Sequence, residues 1–257
     1  MADAPILELK GVSKNFGAVQ ALTKVDFETR AGEVMALVGD NGAGKSTLIK
    51  GVAGIYPFEE GDIYIDGQKV DIHGPRDAAK LGIEIVYQDL ALADNLDVVN
   101  NMFLGRELTS SLRMLDEVTM EQATVETLDS LSVTTIRSVR QQVASLSGGQ
   151  RQAIAVAKAV MWNSRLVILD EPTAALGVAQ TRQVLDLVRR LADRGLGVVI
   201  ISHNLHDIFE VSDRITVLRL GHKVAEFKAS KTTQQEVVHA ITAGTLSRVP
   251  GMDEVEA

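Results

Sequence analysis

Two textures of apolar residue alternate along the chain. The first is the short unbroken run: Val34-Met35-Ala36-Leu37-Val38 is followed at once by a glycine-rich loop and by Ser46-Thr47-Leu48-Ile49-Lys50. A buried strand, a loop and a helix in that order predict a parallel α/β core. Similar runs return at 166–169, 198–201 and 215–218, with a helix expected around 180–194 between the first two. Nearer the N-terminus, 6–10 and 25–28 read as short strands split by turn residues, and 61–67 alternates like a strand running into an Asp-Gly turn. Pro75 suits the first turn of a short helix that stops at Gly82, and 83–87 reads as another strand. The second texture fills 89–162. Strand-like runs vanish there, and Leu96, Val99, Met102 and Phe103, then Val125, Leu128 and Leu131, recur at helical spacing, with Thr119 and Gln122 placed as a capping box. The pattern predicts one domain over 1–244, its core about 1–88 and 163–244 and its helical insertion about 89–162. Residues 245–257, polar, acidic and broken by Pro250, read as a mobile tail.

Composition narrows the function. A net charge of -8, from 26 Lys+Arg against 34 Asp+Glu, leaves no basic excess to neutralise phosphates and argues against a nucleic-acid partner. With no cysteine there is no disulfide framework, thiol nucleophile or thiolate metal site, which fits a reducing compartment. The N-terminus shows no basic stretch leading into an apolar run, so no secretory signal is expected. The longest aliphatic runs fall far short of the ~20 residues of a membrane helix, so any membrane role comes through a partner.

The candidate chemistry begins at Gly39-Asp40-Asn41-Gly42-Ala43-Gly44-Lys45-Ser46, which satisfies the P-loop pattern between a strand and a helix. Glycines let backbone N–H groups curl around a polyphosphate, and the helix N-terminus adds its dipole. Lys45 supplies charge to the β- and γ-phosphates, and Ser46, with Thr47 beside it, offers a hydroxyl to Mg²⁺. A glycine-rich turn with a surface lysine is the plainer alternative, and the flanking strand and helix argue against it. The apolar strand at 166–169 ends in Asp170-Glu171. Adjacent acids also open solvated loops; downstream of a P-loop they read as a Mg²⁺ aspartate and a general base for water. His203, after the apolar strand at 198–201, reads either as a helix cap or packed ring, or as a group reaching the γ-phosphate.

Leu146-Ser147-Gly148-Gly149-Gln150 alone is only a helix opening, but in order with the other segments it resembles the ABC-transporter ATPase family over nearly the whole chain. The resemblance implies an α/β P-loop NTPase (RecA-like) core with an antiparallel β subdomain and an inserted α-helical subdomain. The family's adenine-stacking aromatic matches Phe16. Its Q-loop glutamine, assigned to the metal and to catalysis, matches Gln88, and its signature matches Leu146 to Gln150. The metal aspartate, catalytic glutamate and switch histidine match Asp170, Glu171 and His203. Also implied are ATP and Mg²⁺ as cofactors and a head-to-tail homodimer, in which Ser147, Gly148, Gly149 and Gln150 serve the neighbour's nucleotide. The implied partners are integral membrane permease subunits and, indirectly, a sugar-binding protein. The implied location is cytoplasmic, peripheral on the inner face of the membrane. Val86-Tyr87-Gln88-Asp89-Leu90, Gly105-Arg106-Glu107 and the segment from Pro172 to Val178 further resemble monosaccharide importers, in the single-cassette, fructose-type form. Exporter ATPases and importers of other small solutes share the motifs; only the sugar-like segments speak for sugar import. Non-transport ATPases of the family act on nucleic acid or ribosomes, and they carry a long coiled coil or a second cassette with basic extensions, which are not seen here. Gly177 departs from the aspartate common in the wider family, and is expected to hold a left-handed backbone or a close approach to the partner.

Overall fold

The computed structural model describes residues 4–110 and 113–244; the tail expected at 245–257 lies outside them. At its centre is β3 (Val34–Val38), with all five residues buried. It pairs in parallel with β8 (Gly197–Ile201) on one side and β9 (Arg214–Arg219) on the other. The sheet continues through β7 (Leu166–Asp170) to β6 (Ile83–Val86), and β10 (His222–Lys228) closes the far edge antiparallel to β9. The apolar runs are unbroken because both faces are covered. Met35 and Leu37 point into one core with Ile168, Val199 and Ile201. Ala36 and Val38 point into the other with Val167, Leu169, Val198 and Ile200, as the period of two requires.

The first core is closed by α1 (Lys45–Val52) and a second, antiparallel sheet. That sheet runs in the order β2 (Val19–Thr29), β1 (Leu7–Phe16), β4 (Glu60–Ile65), β5 (Gln68–Val70). The two strands expected to be short are long instead. Gly11 sits at φ 59° within a register shift between Leu9 and Val12, so a bulge absorbs it and β1 continues. Asp66 and Gly67, both at positive φ, make the tight turn into β5. Pro75 opens α2 (Pro75–Lys80).

Between β6 and β7 the regular elements are helical: α3 (Val98–Phe103), α4 (Glu117–Ser130) and α5 (Gly148–Val160). Thr119 does not cap α4. Asp116 does, accepting from Thr119 N–H at 3.2 Å and from its hydroxyl at 2.8 Å. Of the residues noted at helical spacing, Val125 is exposed, and the buried stripe is Met120, Thr124 and Leu128, at i, i+4, i+8. The second core is completed by α6 (Val178–Asp193), α7 (Leu205–Val211) and α8 (Gln234–Ala243).

Candidate functional site

The loop between β3 and α1 can be built only from glycine at two points. A Cβ on Gly39 (φ 151°) would lie 2.2 Å from Leu218 O, and one on Gly44 (φ 105°) 2.8 Å from Ala21 O. The chain is thus pressed against both sheets while it turns. Gly44 is also the N-cap of α1 and has no side chain to cap it, so the first-turn N–H groups remain available to an anion. Lys45 is buried, and its Nζ donates to Gly39 O at 2.6 Å and Asp40 O at 3.0 Å, folding the ammonium back over the loop. Burial lowers its pKa, opposed by Glu171, Asp170 and Asp40.

The carboxylates come from the end of β7. Desolvation raises the pKa of Asp170, opposed by Lys45, Lys50 and His203. Glu171 occupies the left-handed region at φ 53°, with its N–H donating to Ile201 O at 2.9 Å. That conformation costs a non-glycine residue of order 1 kcal/mol or more. Its side chain is 14% exposed. Burial pushes its pKa up, and His203 works against that shift. His203 Nε2 lies 3.2 Å from Glu171 Oε1, an oxygen with no aligned hydrogen-bond donor, while the His203 N–H donates to Glu171 Oε2 at 3.4 Å.

These groups line one cavity of about 500 Å³ at the carboxyl ends of the parallel strands. Among its walls are Asn41, Gly42, Ala43, Gly44, Lys45, Ser46, Thr47, Gln88, Asp170, Glu171 and His203. Gly39 and Asp40 stand just behind, holding Lys45. Val19, Gln20 and Ala21 of β2 also line it; nothing in their chemistry marks them in the sequence. Phe16 is not part of the wall. It lies half-exposed at the end of β1, its ring edge-on to Tyr56 at 5.2 Å, and the Tyr56 hydroxyl donates to Thr47 O at 3.0 Å. Sequence reasoning missed Tyr56 and the Lys14 ammonium 5.4 Å from the Phe16 ring centre.

Ser147, Gly148, Gly149 and Gln150 are not brought to this cavity. Ser147 caps α5, accepting from Gln150 N–H at 3.4 Å while Gln150 Oε1 accepts from Ser147 N–H at 2.9 Å. A Cβ on Gly149 would sit 3.0 Å from Gln180 Cβ, so the glycine sets the approach of α6 to α5. The left-handed backbone expected at Gly177 is corrected. It is extended, at φ -74° and ψ 161°, with open space around its missing Cβ. The left-handed residues between β7 and α6 are Glu171 and Ala175, at φ 53° and 60°.

The chain is similar to known proteins over most of its length. The family described as ABC transporter matches residues 22–174. The chain is 46% identical to a xylose/arabinose import ATP-binding protein of Sulfolobus acidocaldarius over 95% of this chain and 96% of that protein. It is 44% identical to a fructose import ATP-binding protein of Rhizobium meliloti over 94% and 95%. Among solved structures, a dimeric post-hydrolysis ATP-binding cassette bound to ADP and Pi aligns with a TM-score of 0.72 at 26% identity. That alignment covers 87% of this chain and 98% of the other.

Proposed function

The chain belongs to the ABC transporter family, and from that premise we propose that it is the ATP-hydrolysing subunit of an importer, taking up a sugar through separate membrane subunits. The observation that carries the reading is the convergence of Lys45, Asp170, Glu171 and His203 on one cavity at the strand ends, in a chain similar along its length to two sugar-import cassettes. No helix among the described residues is long and apolar enough to cross a membrane; on this reading the solute path is supplied by partner subunits. A place on the cytoplasmic face of the membrane, an indirect sugar-binding protein and no nucleic-acid partner follow from this reading.

In the proposed reaction, the loop at 39–46 and the opening of α1 cradle the phosphates, and Lys45 turns from the loop carbonyls to the β- and γ-phosphates. Phe16 offers a face to adenine. Glu171, ionised, accepts the proton of the attacking water, and its raised pKa makes it a stronger base at neutral pH than an ordinary carboxylate. His203, beside it, donates to the γ-phosphate as charge develops. The Ser46 hydroxyl, Gln88 amide oxygen and Asp170 carboxylate share the cavity as hard oxygen donors, a set that fits Mg²⁺ with phosphates and water completing its shell. When bound, the ion neutralises phosphate charge. The signature 147–150, remote from its own cavity, is proposed to close the cavity of a second copy in a head-to-tail dimer.

The test is reconstitution. The chain, co-purified with its membrane subunits in vesicles, is expected to hydrolyse ATP faster with one class of sugar, and to accumulate that sugar inside. Stimulation by a non-sugar solute, or outward movement, refutes sugar import.

A further inference from the structure

Behind the Glu171–His203 contact, the same two strand ends are joined a second time. Thr173 lies two residues beyond Glu171, and Asp207 four beyond His203. The Thr173 hydroxyl donates to Asp207 Oδ2 at 2.7 Å, with the two residues 8% and 4% exposed. The other oxygen, Oδ1, accepts from Asn204 Nδ2 at 2.9 Å. Asn204 in turn donates its N–H to Ser202 Oγ at 3.0 Å and caps α7 by accepting from His206 N–H at 3.0 Å. One buried carboxylate thus clamps the segment after Glu171 to the segment that carries His203.

A carboxylate in this position is costly to desolvate. Among the described residues, the basic side chain near it is the His206 ring, 4.0 Å away and mostly in solvent. Two apolar residues would fill the same space without that cost. What the polar pair secures is geometry. Glu171 holds a left-handed backbone, and such a residue persists only where its surroundings over-determine it. Its N–H is tied to Ile201 O and its C=O accepts from Ala174 N–H at 3.1 Å. The Thr173–Asp207 bond fixes the chain between them.

We propose that Asp207, acting through the Thr173 hydroxyl, is a positioning residue that holds Glu171 at the angle from which it meets the attacking water. The inference rests on the reading of Glu171 as the base. Neither Thr173 nor Asp207 lines the cavity, so the pair governs turnover and leaves nucleotide binding alone.

The variants are Thr173→Val, which keeps the volume and removes the donor, and Thr173→Ser, which keeps the donor. Each is made in the wild-type and Glu171→Gln chains, and ATP affinity and single-turnover hydrolysis are measured. Thr173→Val is expected to slow hydrolysis by about 10-fold or more, with ATP Kd within about twofold, since a small misplacement of a reacting group costs this much. Thr173→Ser is expected to restore most of the rate. In the Glu171→Gln background, Thr173→Val is expected to cost nothing further, because two changes on one path do not add. A wild-type rate in Thr173→Val overturns the proposal, and so does the same fold-loss repeated on Glu171→Gln. If Glu171→Gln itself hydrolyses at the wild-type rate, the assignment of the base fails first and this proposal falls with it.

Discussion

Glu171 carries opposite demands from folding and from chemistry. Burial raises its pKa, so the protonated carboxyl is the form the fold prefers. Its contribution to stability is complete below the ordinary carboxylate range and is lost as pH climbs through the raised value. Replacing it with glutamine removes that loss. In the absence of nucleotide, Glu171→Gln is expected to melt higher than the wild type at neutral pH, and the gap should close as the solution is acidified. A scan of Tm against pH for both proteins reads this directly. Hydrolysis runs the other way. The same substitution should slow turnover by roughly 10²- to 10⁴-fold while ATP still binds. The acidic limb of the wild-type rate profile should also lie above the usual carboxylate range, since only the ionised form accepts a proton. Lys45→Ala differs in kind: it removes the ammonium held by Gly39 O and Asp40 O. ATP affinity is then expected to drop by roughly 10- to 100-fold, the worth of one or two charge-assisted hydrogen bonds. A fluorescence titration showing unchanged affinity would remove Lys45 from the phosphate site.

Among the elements, the opening of α6 separates local from intersubunit effects. Gly177 is its N-cap, in ordinary backbone and open space. Gly177→Asp therefore costs the isolated chain nothing, and as a better cap it should raise stability by a few tenths of a kcal/mol. Across a dimer the added carboxylate faces the partner's phosphates and should lower ATPase activity. Reduced turnover with an equal or higher Tm is the expected pair of results; faster turnover would make the glycine a neutral substitution. The contrast with Ala175 also shows what a sequence reveals and conceals. The strands β3, β7, β8 and β9 were legible because burial on both faces leaves unbroken apolar runs. β10 was not, because Lys223, Glu226 and Lys228 interrupt its apolar residues and it borders only one strand. Positive φ at a glycine is permitted but never written in the residue itself, so the bulge at Gly11 was not legible and Gly177 was expected in a left-handed turn that it does not make. The loop at 39–46 and Asp170-Glu171 announce themselves by chemistry. Val19 to Ala21 reach the cavity only through the antiparallel sheet, and Asp207 meets Thr173 only through the crossover from β7 to β8.

At the scale of the whole molecule, Ser147 does not line its own chain's cavity, and the function proposed above assigns it to that of a second copy. Ser147→Arg and Lys45→Ala chains are each expected to be inactive. Mixed, they place both defects in one composite cavity and leave the other intact, so ATPase activity should return in part. A Ser147→Arg chain that hydrolyses ATP unaided at the wild-type rate refutes the head-to-tail arrangement. The sheet order has another consequence, felt before any ATP is bound. β3 is completed long after it is made, because both its neighbours, β8 and β9, come from the last quarter of the chain. On the ribosome, Val34 to Val38 therefore emerges as an apolar strand with two open edges and waits for more than half of the protein to be translated. Nascent chains arrested before Gly197 should be protease-sensitive and bound by chaperones that recognise apolar segments. Those arrested with Arg219 clear of the ribosome should become resistant together, since the strand that carries the phosphate loop cannot be finished piecemeal.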